Sequence, residues 1–214
     1  AWAQELGQRR AQGDDPGIER QLPPSTREPA DQRAAMIAGI MAGQIIFFAF
    51  YTGAATAESI LREHEEGTLA RLSTTPTPAA TILGGKFAGV FVTLVVQVAV
   101  LLAAAGLLFR IRWGQPLPVL LVTLAMIVAA AGFGLFVMSF VKNTRQAGAV
   151  FGGVLTVTGM AGGLFTTGFQ NLPSFYTTIN LFTPHGWALR GWRVVLAGGG
   201  VGGVLMPVLV TLGL

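Results

Sequence analysis

The side chains able to do chemistry are few in this sequence and unevenly placed. Glu58 to Pro76, "ESILREHEEGTLARLSTTP", carries six formal charges and His64, and beyond Glu66 the chain has no Asp or Glu at all. Hydrolysis would need a nucleophile with a base beside it, or a metal held by histidines and carboxylates. The two histidines, His64 and His185, lie far apart in sequence, and there is no cysteine. His185, set in "TPHGW" between Pro184 and Gly186, reads as a turn residue at a membrane interface. The "GGK" at 84–86 lacks the upstream glycine spacing and the following Ser or Thr of a phosphate-cradling loop. We therefore expect no catalytic residue, metal or cofactor in this chain, and any energy it uses must enter from outside.

The elements that carry these residues are apolar. Of 214 residues 52% are hydrophobic and 11% charged, against about a quarter charged in a soluble domain, and the mean hydropathy is +0.60. Uncharged runs at 34–57, 87–109, 117–141 and 147–169 each reach the roughly 20 residues that a helix needs to cross hydrocarbon. A fifth run starts near Val201 and continues to Leu214, so the chain reads as a piece of a longer polypeptide with a truncated last span. The expected fold is an all-α integral membrane protein, a polytopic bundle. Ion-coupled transport calls for an ionisable group inside the membrane, and the first four runs contain no carboxylate. The basic residues are scattered at span ends, which argues against nucleic acid as a partner despite a pI near 10.3. They also fall on both sides, so the positive-inside rule does not orient the chain.

Between and around the spans, residues 1–33 are rich in Gln, Arg, Asp and Pro and read as an extramembrane, flexible loop segment. Residues 170–200 are too long for a turn and too apolar for a solvated loop. Phe175, Tyr176, Phe182, Trp187 and Trp192, set there among Pro173, Pro184 and Gly186, suggest short helices lying on, or dipping back into, one membrane face. Glycines four apart, Gly39 and Gly43, Gly85 and Gly89, Gly148 and Gly152, Gly159 and Gly163, predict close helix approach, above all in the 147–169 span. Phe47, Phe48, Phe50, Met36 and Met41 of the first span could line an apolar substrate path or face lipid.

The charged stretch reads as a helix from Glu58 to about Leu72. Glu58 precedes Arg62 by four residues and Arg62 precedes Glu66 by four, the spacing of ion pairs on one face. Ile60, Leu61, Leu69 and Leu72 make an incomplete apolar stripe, and the prolines of "TTPTP" end the helix. Such an element suits docking to a water-soluble partner.

The string "ESILREHEEGTLARLSTTPTPAATILGGK" resembles the cytoplasmic segment after the second membrane helix in permeases of the type 2 ATP-binding cassette (ABC) exporter family. Glu58, Arg62, Glu63, Glu66, Gly67, Thr68, Leu69, Arg71, Leu72, Thr75, Pro76, Gly85 and Lys86 match in order, and the likeness extends over 33–214. The resemblance implies helices two to six of that fold in 34–214, a cytoplasmic coupling segment at 58–86, re-entrant extracellular helices in 170–200, and a multi-pass place in the cytoplasmic membrane. It implies a non-enzymatic permease subunit that exports a lipophilic or amphipathic compound, a drug, lipid or glycolipid. The implied partners are two ABC ATPase subunits holding ATP and Mg, a second permease copy as homo- or heterodimer, and membrane lipid. Glu58, Arg62, Glu63, Glu66 and Arg71 become the residues expected to couple to the ATPase. An ion-coupled secondary transporter and a non-transporting scaffold or assembly protein remain the rival readings.

Overall fold

A computed structural model describes residues 29–74, 76–166 and 173–214, with the side chains of 29–32, 69, 70 and 73 left aside. Most of the N-terminal loop segment, the end of the fourth run after Thr166 and the start of the 170–200 region lie outside the described residues, as does the side chain of Leu69. Residues Arg33–Leu214 form one compact unit, and every element in it is helical. That follows from the solvent: with no water to bond the backbone, a membrane chain satisfies its peptide groups inside each helix.

Helix α1 spans Pro29–Glu65, α2 Thr68–Ser73, α3 Ala79–Phe109, α4 Pro116–Met138 and α5 Thr144–Ala161. After a 3₁₀ turn at Leu164–Thr166 come α6 at Ser174–Ile179, a second 3₁₀ turn at Asn180–Phe182, α7 at Pro184–Leu196 and α8 at Val201–Gly213. Among the described residues, α1, α3 and α4 are long and apolar enough to cross a membrane. The protein is accordingly an all-α, multi-pass membrane protein. Its outer surface is apolar: Val92, Val96, Val100, Leu107 and Leu108 of α3 and Leu205, Met206 and Leu209 of α8 are exposed, as lipid-facing side chains should be.

Two boundaries differ from the sequence expectation. Helix α3 begins at Ala79 rather than near Phe87, because Pro78 presets the backbone and its carbonyl accepts from Thr81 and Ile82. Helix α5 ends at Ala161, where Gly162 and Gly163, the latter at φ 81°, turn the chain.

The interior is built from α1, α3, α4, α5, α7 and α8, which bury Ile46, Leu94, Met126, Leu155, Trp192 and Val204 respectively. Helix α4 packs on α3, α7 and α8, and α7 on α8. A close helix approach joins α1 to α4 at Gly53 and Gly134. A Cβ on Gly134 would stand 2.6 Å from the Gly53 carbonyl carbon, and one on Gly53 2.5 Å from the Ala130 oxygen. Of the glycines spaced four apart, Gly159 lies against α1, a Cβ there standing 3.4 Å from the Phe47 ring, whereas Cβ atoms at Gly85, Gly89, Gly148 and Gly152 would meet nothing within 4 Å. Spacing marks a smooth stripe but does not say whether another helix lies against it.

Helix α7 corrects a second expectation. Trp187 and Trp192 are buried against other parts of the protein, whereas Phe175 and Phe182 are exposed. Thr183 caps α7 by accepting from Gly186 N at 3.1 Å, and Pro184 opens its first turn. His185 is not an interfacial turn residue. Fully buried, its ring lies 3.9 Å from Phe50 and 5.6 Å from Phe133, centroid to centroid. At the other end of α7, Trp192 meets Trp113 of the α3–α4 loop at 5.3 Å. The 13-residue helix thus runs from inside the bundle to one end of it.

Replacing Gly134 with Ala should lower stability by about 1–3 kcal/mol, the usual cost of overpacking a dense contact. Gly152→Ala, on the open face of α5, should be neutral or slightly stabilising. Thermal unfolding of the two purified variants in detergent separates these outcomes.

Candidate functional site

The charged residues gather at one end of α1. The helix does not stop at Ala57 but runs on without a break to Glu65, so the polar stretch is a stiff continuation of a membrane span. The main chain turns there: Glu66 N bonds to Arg62 O at 2.9 Å, Gly67 N bonds to His64 O at 3.1 Å, and Gly67 sits at φ 73°. Glycine suits that left-handed position because it carries no Cβ to clash with its own backbone. The short α2 follows, closed by Thr74, whose hydroxyl donates to Arg71 O at 2.7 Å. The expected single helix to Leu72 is therefore two helices with a glycine joint. The apolar stripe resolves into a buried Leu61, a half-buried Ile60 and an exposed Leu72.

The two ion pairs among the described residues divide the expected coupling residues. Arg62 reaches Glu58 at 3.8 Å across one helical turn. Glu63 instead takes Lys86 Nζ on both carboxylate oxygens, tying the end of α1 to the first turns of α3. The predicted Arg62–Glu66 partnership does not form as an ion pair; Glu66 lies at the helix end, where the chain is already turning. Arg62, Glu66 and Arg71 are exposed, Glu58 and Glu63 half-buried.

One acidic residue in this stretch was missed. Glu65 accepts from Thr144 N at 2.9 Å through Oε1 and from the Thr144 hydroxyl at 2.8 Å through Oε2. Thr144 is the first residue of α5, and Asn143 caps the same helix by accepting from Gln146 N at 3.0 Å. A carboxylate at a helix N-terminus meets free N–H groups and the positive end of the helix dipole. The backbone bond from Thr144, then its hydroxyl bond, hold the Glu65 carboxyl below the ordinary glutamate range, with Arg145 and His64 adding in the same sense. Asn143 is a residue type that caps helices, but nothing in the sequence says that Glu65 would reach the same helix end.

The residues considered for a substrate path do not share a surface. Met36 and Phe48 are exposed, Met41 and Phe47 half-buried, and Phe50 is enclosed against Phe133 and His185. Phe47 stacks with Tyr51 and meets Phe165 edge-on at 5.4 Å. A cleft of about 400 Å³ lies instead between Phe87 of α3, Val128 to Phe136 of α4, Phe182, Pro184 and the end of α8. Among the described residues no group of His, Asp and Glu could hold a metal.

The chain matches the model of the ABC-2 family transporter proteins over residues 9–213. It is 30% identical over 185 residues to the linearmycin resistance permease protein LnrN of Bacillus subtilis (strain 168), covering 86% of this chain and 47% of that protein. The chain thus spans about half the length of this relative. No solved structure matches it.

The Glu65–Thr144 contact has a signed pH dependence. Because the folded-state value is lowered, its stabilisation is present above the ordinary glutamate range and is lost as pH falls through the lowered value. A carboxyl-carbon NMR titration should place the Glu65 midpoint below that of a free glutamate. Thr144→Val, which keeps the backbone donor and removes the hydroxyl, should move it part of the way back up.

Proposed function

The chain belongs to the ABC-2 family of transporter proteins, and from that premise we propose that it is the permease part of an ATP-driven exporter. In this reading the charged end of α1 with α2 is the coupling element, and it faces the cytoplasm. The observation that carries the reading is the unbroken passage of α1 from its apolar length into the charged stretch. A helix held by backbone bonds throughout is stiff enough to pass a push at its polar end to its membrane-embedded half.

Arg62, Glu66 and Arg71 are the contact charges of this element, since they point to solvent, with Glu58 steadying Arg62 and Glu63 fixing the element to α3. Two ATPase subunits, which hold the ATP and Mg, would seat it. A second permease copy would complete the path as homo- or heterodimer. ATP supplies the driving force there, consistent with spans that hold no carboxylate to carry a coupling ion.

For the cargo we infer a lipophilic or amphipathic molecule. The cleft between α3, α4 and α8 is walled by Phe87, Phe133, Phe136 and Phe182. The LnrN relative is named for resistance to linearmycin, which supports outward transport of a toxic compound as the direction.

Purification of the complete protein from its own cells should bring down a vanadate-sensitive ATPase. Reversing charge at Arg62, Glu66 and Arg71 together should cut the co-purified activity by about tenfold or more, because like charges facing each other cost several kcal/mol. An ATPase that stays bound to the triple variant would show that this end of α1 is not the docking element.

A further inference from the structure

Glu63 and Glu65 stand two residues apart, a rotation of roughly 200° about the helix axis. They therefore leave α1 on nearly opposite sides, and each finds a different helix. Glu63 holds Lys86, eight residues into α3, and Glu65 holds both donors of Thr144 at the start of α5. The links bridge 23 and 79 positions of sequence. Both oxygens of each carboxylate accept a hydrogen bond from the helix it reaches.

From this geometry we infer that Glu63 and Glu65 are positioning residues that deliver movement of the α1–α2 end to α3 and α5 separately. The inference rests on the coupling role proposed above and adds the route inward. Helix α2 hangs beyond the Gly67 joint, so a load applied to α2 enters α1 in its last turn, where the two clamps sit. The Glu63–Lys86 clamp is charged on both sides and half-buried, so it resists separation in any direction. The Glu65–Thr144 clamp grips the first residue of α5 through its backbone N–H and its hydroxyl. Helix α5 is also held to the core through Ala147, Phe151 and Leu155, so a pull at its first residue is carried by a packed helix.

The chain has no cysteine, which makes the test direct. Cysteines at the exposed Leu83 of α3 and Ala149 of α5, each paired with one at Leu120 of α4, accept spin labels in the complete protein purified with its ATPase. Trapping with Mg-ATP and vanadate should shift both label distances. Glu63→Gln should abolish the α3 shift and leave the α5 shift; Glu65→Ala, which leaves nothing to hold Thr144, should do the reverse. The exchanged pair Glu63→Lys with Lys86→Glu should restore the α3 shift, which a loss of folding could not do. Shifts that persist in both single variants overturn the inference and leave the coupling role standing. A wild-type complex with bound ATPase and no shift overturns both, as does the failure of any ATPase to co-purify.

Discussion

A single helix carries two solvents' worth of chemistry here, and the continuity of its backbone bonds is what the arrangement depends on. Helix α1 satisfies its own peptide groups from the apolar run through to Glu65. Polar side chains can therefore be added beyond the hydrocarbon without a flexible linker between them and the span. The helix stops where Gly67 takes a left-handed backbone, and by then Glu63 and Glu65 have fastened it to α3 and α5. Removing the continuity would leave a charged loop that could bind a partner but could not lean on the bundle.

Inside the bundle the governing constraint is close approach. Gly53 and Gly134 let α1 and α4 touch backbone to backbone. Gly162 and Gly186 do the same for the entry of α7, where a Cβ on Gly186 would stand 2.0 Å from the Asn180 oxygen. Such contacts replace the hydrophobic drive that helices lose in lipid. They also trap polar atoms. Both ring nitrogens of His185 and the indole nitrogen of Trp192 are buried with no hydrogen-bond partner among the described residues. The rings of Phe50, Phe133 and Trp113 wall these side chains in. Asn180 closes the same region by accepting from Arg190 at 3.3 Å, while Arg190 lies over the Trp187 ring.

Features that depend on composition along one dimension could be read before any fold was known. Apolar length predicted the helices, because lipid leaves no other way to bond the backbone. The charged insertion and its "EGTL" string pointed to the family that the comparison then showed. The tertiary structure decided which side chains meet. Glu63 and Glu66 looked alike in the string, yet one is clamped to Lys86 and the other exposed, because a helix turns 100° per residue and only packing says what lies on each side. Glycine spacing could not tell the crowded Gly134 from the open Gly152. Nor could "TPHGW" disclose that its histidine is buried, since the Phe50 and Phe133 rings that enclose it come from helices far away in the chain.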